Sequence, residues 1–174
     1  MKTYHHKQTG WLMRAISVTL IVPGLLTIIA GSLNIGTGIM AGTFLLVGLL
    51  IALMSSLTVA VDGEAVRWHF GPGLLKKQLP LDQVTAVEAA THSVLSGLGI
   101  RITPEGTAYV VAGGASVRID RAKGSSIILS TDDAEGLLAA LRQAPALKGV
   151  PRDAIGMPNP ERPQAVQTPN RAHR

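Results

Sequence analysis

The 47 residues from Ala15 to Val61 include no Asp, Glu, Lys, Arg or His, and most of them are apolar. An α-helix needs about 20 apolar residues to cross a hydrocarbon core about 30 Å thick, because it rises about 1.5 Å per residue. The run is therefore long enough for two crossings. It is interrupted at residues 31–38, where glycine, serine and asparagine provide turn chemistry. We predict a transmembrane hairpin at 11–57, with helices at about 11–30 and 39–57.

Basic residues lie on both sides of this hairpin, whereas its connecting segment carries no charge. They are Lys2, Lys7 and Arg14 before or at the start of the first helix and Arg67, Lys76 and Lys77 after the second. Lys and Arg in short flanking segments are retained in the cytoplasm. We therefore predict a multi-pass protein of the inner (cytoplasmic) membrane, with its N-terminus and its C-terminus both in the cytoplasm.

Two residues at the start of the first helix are typical of a membrane interface. Trp11 is placed to act as an aromatic anchor, and the guanidinium group of Arg14 can reach back to the headgroups. A cleaved signal peptide is the alternative, since a basic start, an apolar stretch and small residues at 30–32 are its ingredients. The apolar stretch is long for a signal peptide and a second one follows at once, which favours a retained hairpin.

Small residues recur in the second predicted helix. Gly38 and Gly42 have the GxxxG spacing, and Gly48 follows further along the same helix. Such residues let two helix backbones approach closely in lipid. We predict that these glycines pack the two helices of the hairpin together. The alternative is that they hold two copies of the chain together in a homo-oligomer.

After the hairpin the hydrophobic period changes from helical to two, and glycine-containing turns divide the sequence into short strands. The predicted strands are 57–61, 64–70, 74–79, 84–88, 99–103, 107–111, 115–120 and 126–130. One amphipathic helix follows, with Asp132 as its N-cap and Glu135 three residues later. These short strands closed by one helix predict a partly open antiparallel barrel or a sandwich.

Several segments of this region resemble a known family. They are EAVRWHFGPG, LPLDQVTAVE, GIRITPEG, the glycine pair followed by ASVRID, and STDDAEGLLAAL. Together with the two preceding helices, residues 57–143 are similar to the bacterial pleckstrin-homology-like (PH-like) domains found on small membrane proteins. The resemblance implies a seven-strand antiparallel barrel capped by one C-terminal helix, and it supplies no catalytic signature.

These patterns divide the chain into four parts. They are a cytoplasmic N-terminal segment at 1–10, the transmembrane hairpin at 11–57, a cytoplasmic PH-like domain at 58–144 and a tail at 145–174. The tail contains repeated prolines, five basic and two acidic residues, and few apolar residues. Such a composition buries too little surface to offset the entropy of ordering, so we expect a disordered and passive tail.

The histidines are the first candidates for chemistry. His5 and His6 are adjacent on what we expect to be a mobile arm, and they lack the further ligands of a closed metal site. His69 and His92 could form a catalytic or pH-sensing group with Asp82. Strand alternation, however, places His69 opposite the core face, where a solvated histidine is the simpler interpretation. We predict no metal site.

Other catalytic chemistry has little support in the sequence. Ser93 and Ser96 lie in a predicted loop without a nucleophile elbow. The chain has no cysteine, and neither of its glycine-rich turns has the lysine and following helix of a phosphate-binding loop. The net charge of +5 is carried by the two flanks of the chain instead of the domain, which argues against nucleic-acid binding. We predict neither an enzyme nor a bound cofactor.

Lys76 and Lys77 are the candidate lipid contacts. They follow a Gly-Pro-Gly turn and two leucines in a domain that begins directly after the hairpin. A lysine near an anionic membrane surface contributes about 1 kcal/mol to binding. Consecutive strand residues point to opposite faces, so only one of the two lysines needs to face the membrane.

The leading functional prediction is a non-catalytic, membrane-anchored interaction or regulatory module with a protein partner at the inner membrane. The alternative is a lipid-facing or transport-accessory protein that oligomerises through its transmembrane glycines. The first prediction depends on a well-patterned domain without active-site residues, and the second on the glycine spacing and the lysine pair.

Overall fold

The computed structural model of the chain describes residues 4–31, 34–92, 97–147, 150–152 and 155–157. Within these ranges the chain forms nine β-strands, three α-helices and a short 3-10 helix at Leu81–Gln83. The helices are α1 (Trp11–Ile29), α2 (Ile35–Leu53) and α3 (Ala134–Gln143). The strands are β1 (Tyr4–Thr9), β2 (Ser56–Val61), β3 (Ala65–Phe70), β4 (Leu74–Pro80), β5 (Val84–His92), β6 (Gly99–Thr103), β7 (Gly106–Val110), β8 (Gly114–Arg121) and β9 (Ile127–Ser130).

Helices α1 and α2 pack together as a hairpin of two 19-residue helices. Their mean hydropathies are 2.0 and 2.1, so both are long and apolar enough to cross a membrane by length and composition. α2 begins four residues earlier than predicted. The reason is a capping box, in which the Asn34 side chain accepts from the N–H of Thr37 at 3.0 Å and the Thr37 hydroxyl accepts from the N–H of Asn34 at 2.9 Å.

The N-terminal segment forms strand β1, so the expectation of a mobile arm is not met. β1 pairs antiparallel with β2, from Tyr4 opposite Val61 to Thr9 opposite Ser56. The α1–α2 hairpin is therefore inserted between two neighbouring strands of one sheet. Pairing with β1 satisfies backbone groups of β2 that would otherwise lie on an open edge.

The strands form two sheets, with orders β1-β2-β3-β4 and β5-β8-β9-β7-β6. The eight predicted strands correspond to β2–β9, but the described residues do not confirm the seven-strand antiparallel barrel. There are nine strands, the sheets do not close, and β9 pairs in parallel with β7. All four residues of β9 are buried, which is typical of a central strand, and β9 accordingly lies between β8 and β7.

One hydrophobic core joins both sheets and α3. Its largest fully buried side chains include Phe70, Leu57, Ile119, Leu129, Leu137 and Leu141. Helix α3 begins one residue later than predicted, because Asp133 and not Asp132 caps it by accepting from the N–H of Gly136 at 2.9 Å.

The first part of the predicted tail packs onto the domain. Leu147, Val150 and Ile155 are buried in the core, and the N–H of Gly156 donates to the carbonyl of Val87 in β5 at 2.7 Å. These residues differ from the predicted disordered tail because their apolar side chains cover the core beside β5. Residues 158–174 lie outside the described residues.

Candidate functional site at the base of the hairpin

Backbone contacts join the two helices of the hairpin to the sheets. The N–H of Gly10, just before α1, donates to the carbonyl of Ser55, just after α2, at 2.8 Å. The Ser55 hydroxyl in turn donates to the carbonyl of Ala52 at 2.7 Å. A β-carbon on Gly10 would overlap the carbonyl oxygen of Val111, which follows β7 in the second sheet. Both sheets thus contact the base of the hairpin.

A second backbone contact lies at the turn between β3 and β4. The N–H of Gly71 donates to the carbonyl of Ser56 at 2.9 Å, and a β-carbon on Gly71 would overlap the carbonyl oxygen of Leu53. Gly71 also has a φ of +51°, which favours glycine. The turn therefore lies directly against the last turn of α2.

The predicted lipid contacts follow this turn. Lys76 and Lys77 are both exposed, and with Arg67 and His69 they line a surface groove of about 530 Å³. A β-carbon on Gly73 would lie 2.9 Å from Cε of Lys76, so the stem of Lys76 folds back towards the turn. Lys77 lies opposite Trp68, one residue further along β4. Lys76 is therefore the lysine closer to the hairpin, and lipid contact by either one stays a prediction.

Trp11 and Arg14 lie in the first turn of α1 and are both exposed. Between them, Met13 is buried against the core of the domain. This arrangement places the two predicted interface residues at the base of the hairpin. Their role at a membrane interface stays a prediction.

The glycines of the hairpin separate into two groups. A β-carbon on Gly48 would lie 2.7 Å from Cγ1 of Ile21 and 3.1 Å from the carbonyl oxygen of Ser17, so Gly48 packs against α1. A β-carbon on Gly38 or Gly42 would meet no atom of the described residues within 4 Å. They therefore do not pack the hairpin together, and the GxxxG pair is left open on α2.

One glycine of the helix contact was not predicted. A β-carbon on Gly24 would lie 3.0 Å from Cγ of Leu45 and 3.2 Å from the carbonyl oxygen of Ala41. Gly24 thus approaches α2 as Gly48 approaches α1. It has no glycine at GxxxG spacing in its own helix, so the sequence carried no signal for it.

The structure does not bring Asp82 close to His69 or to the backbone of His92. Asp82 precedes β5 and His92 ends it, so about 30 Å of strand separates them. Half-buried His69 lies at the hairpin end of β3, far from Asp82. In the described ranges there is no group of three or more His, Cys, Asp or Glu residues that could hold a metal ion. Ser93 and Ser96 lie outside the described residues.

His6 and Tyr4 fasten β1 to the start of α3. The Nε2 of His6 lies 2.5 Å from Oδ1 of Asp132, and the Tyr4 hydroxyl donates to Oδ2 of Asp133 at 3.1 Å. Burial, followed by the charge of Asp133, raises the pKa of Tyr4, so its hydroxyl stays protonated and keeps donating. These contacts give both side chains a structural role.

A buried arginine network lies at the end of the second sheet away from the hairpin, and the sequence did not predict it. Arg118 donates to Glu105 Oε2 at 3.0 Å, to the Glu105 carbonyl at 2.8 Å, to Asp120 Oδ1 at 3.1 Å and to Ser126 Oγ at 3.2 Å. These bonds join β8 to the β6–β7 turn and to the β8–β9 turn. Four of the five N–H groups of the buried guanidinium are used within the domain, which gives the network a structural role.

The outer strands of the two sheets differ in how they are protected. β1 is tied to the start of α3, and β5 is covered by the segment around Gly156. β4 carries Lys76, Lys77, a bulge and Pro80, all of which oppose pairing with another strand.

β6 has no such protection within the described part of the chain. Its residues contain no lysine, proline or bulge, and Ile102 is 91% exposed. Ile100, two residues earlier on the same face, is also exposed, and Arg101 between them forms no salt bridge with a described residue. We call the outer side of residues 99–103 the β6 edge.

No protein-family model matches this sequence, and no curated protein matches it.

Proposed function

We propose that the chain is a non-catalytic, membrane-anchored interaction module, in which the hairpin crosses the membrane and the β domain is held at its surface. The observation that carries this proposal is the insertion of the hairpin between β1 and β2. Because the two strands pair residue by residue, both ends of the hairpin must emerge on one side of the membrane. The flanking lysines and arginines favour the cytoplasmic side of the inner membrane.

The resemblance to bacterial PH-like domains supports a module of this class. The two open sheets and the parallel pair of β7 and β9 differ from the barrel that the resemblance implies. Membership of that family is therefore part of the proposal, and fold likeness alone is a weak argument for function.

The β6 edge is the surface that we assign to the partner. In an antiparallel pair every second residue turns its N–H and C=O groups away from its neighbour, so β6 offers backbone groups to an added strand. Ile100 and Ile102 would pack against apolar side chains of that strand, and Arg101 between them would pair with an acidic one. The partner chemistry is thus an extended segment in which apolar and acidic residues alternate.

A peptide of alternating valine and glutamate tests this surface on the full chain in lipid nanodiscs. We expect the peptide to bind the wild type and to lose binding to Arg101→Glu. A peptide with lysine in place of glutamate is the matched control, and it should bind only Arg101→Glu. Binding of neither peptide to either protein, or binding that ignores the charge exchange, would overturn the assignment of the β6 edge.

The second candidate function is that of a lipid-facing or transport-accessory protein that oligomerises through its transmembrane glycines. The open glycine pair of α2 favours it. Gly38 and Gly42 leave a face on which the α2 helix of a second copy could pack closely in lipid. We expect Gly38→Leu with Gly42→Leu to convert an oligomer into a monomer, as counted by single-molecule photobleaching in membranes. Ala15→Leu, at an exposed position of α1, is the control. A monomeric wild type would exclude this function.

A further inference from the structure

The start of β4, directly after the turn from β3, holds an exposed leucine in an unfavourable backbone conformation. Leu75 has a φ of +50°, and no other described residue except glycine has a positive φ. The pairing passes from Phe70 opposite Leu74 to Trp68 opposite Lys77, so two residues of β4 oppose one residue of β3. This is a β-bulge, and its left-handed position usually carries glycine because a β-carbon is crowded there.

The strained Leu75 and its neighbour Leu74 are both exposed. Leu74 is 40% exposed and Leu75 is 51% exposed, although both are large and apolar. Glycine or asparagine at position 75 would suit the left-handed bulge better, and a polar residue at either position would suit water better. The leucines therefore point to an apolar surface outside the domain.

The place of the turn identifies that surface. Gly71 donates to the carbonyl of Ser56 and packs on the carbonyl of Leu53, the last residue of α2. If α2 leaves the membrane at this point, the turn lies at the height of the lipid headgroups, a layer several Å thick.

The charge of the turn agrees with a lipid surface. Residues 71–78 contain two lysines and no acidic residue. The stem of Lys76 folds back towards Gly73, so its ammonium group is carried towards the hairpin end of the domain. Neither lysine forms a salt bridge with any residue that the structure describes.

We propose that residues 71–77 form a third membrane contact beside α1 and α2, in which Leu74 and Leu75 insert among the lipid headgroups and Lys76 binds anionic phosphate groups. This inference rests on the proposed membrane anchoring. Its consequence is a fixed orientation of the domain, because three contacts define a plane whereas the hairpin alone permits tilting. The β6 edge is then presented at a constant angle to the membrane.

Single cysteines carrying a nitroxide label test this contact, and the absence of native cysteine makes the labelling specific. The full chain is placed in nanodiscs of phosphatidylcholine and phosphatidylglycerol, with the label at Leu74, at Leu46 of α2 or at Ile102. Collisions with oxygen report lipid, and collisions with a water-soluble nickel chelate report water. Leu46 is exposed on α2 and reports the anchoring itself, whereas Ile102 lies on β6 near its end away from the hairpin.

The three labels separate the inference from the proposed function. We expect the labels at 46 and 74 to report lipid and the label at 102 to report water. Lipid at 46 with water at 74 would overturn the third contact and leave the anchoring intact. Water at 46 would overturn the anchoring together with this inference.

Two variants identify the groups responsible. Leu75→Asn retains a residue that tolerates the left-handed conformation, so the domain should keep its melting temperature while the label at 74 moves towards water. Lys76→Gln should lower the ratio of lipid-bound to free turn about fivefold in anionic nanodiscs. Lys123→Gln, the same change on the distant β8–β9 turn, should have no effect. Equal effects of the two lysine changes would contradict the role of Lys76.

Discussion

Gly10→Ala is expected to destabilise the joint between the hairpin and the domain by about 3 kcal/mol, the upper end of the usual cost of overpacking. The added β-carbon would overlap the carbonyl oxygen of Val111, and moving the backbone away would stretch the bond from the N–H of Gly10 to Ser55. A backbone carbonyl cannot rotate aside as a flexible side chain can. The measurement is the denaturant midpoint of the full chain in detergent micelles.

Gly42→Ala is the matched control for this change. Within one chain its β-carbon would meet no described atom within 4 Å, and alanine favours the helix over glycine by up to about 1 kcal/mol. We therefore expect an unchanged or slightly higher midpoint. Equal midpoints for the two variants would show that the carbonyl oxygen of Val111 does not lie against Gly10.

Arg118→Met is expected to lower the free energy of unfolding of the domain by about 3 kcal/mol. The methionine retains much of the apolar stem but none of the four hydrogen bonds that join Arg118 to Glu105, Asp120 and Ser126. Glu105 and Asp120 would lose their bonds to a buried cation. Denaturant unfolding followed by circular dichroism measures this loss.

Arg67→Met is the control for the arginine network. Arg67 pairs with Asp62 at 3.0 Å, but its side chain is mostly exposed, and such surface pairs contribute at most about 1 kcal/mol. A loss at Arg118 no larger than the loss at Arg67 would contradict the structural role of the buried network.

The strands that the sequence predicted are those whose pattern is local. β2 to β9 alternate or are bounded by glycine turns, so each could be placed from its own residues. β1 could not, because the six residues YHHKQT are mostly polar and their partner strand begins only at Ser56. The central position of β9 depends on pairing with β7 and β8 across the sheet, which no local pattern determines.

The candidate site was predictable to a similar extent. The lysine pair and the glycine spacing of α2 could be read from neighbouring residues. The backbone contacts among Gly10, Ser55 and Val111 could not be predicted, since they join atoms from three distant segments. The same limit applies to Arg118 and Glu105, whose pairing depends on two turns that meet only in the folded sheet.

The most direct test of the inserted hairpin is a disulfide between β1 and β2 in native membranes, using His5→Cys with Ala60→Cys. The two residues are paired across the strands, at a separation that a disulfide can bridge. Insertion of the hairpin between the strands predicts a rapid bond within one chain. His5→Cys with Thr58→Cys, two residues out of register, should not form it. No bond between positions 5 and 60, or a bond only between different chains, would contradict the insertion of the hairpin between β1 and β2.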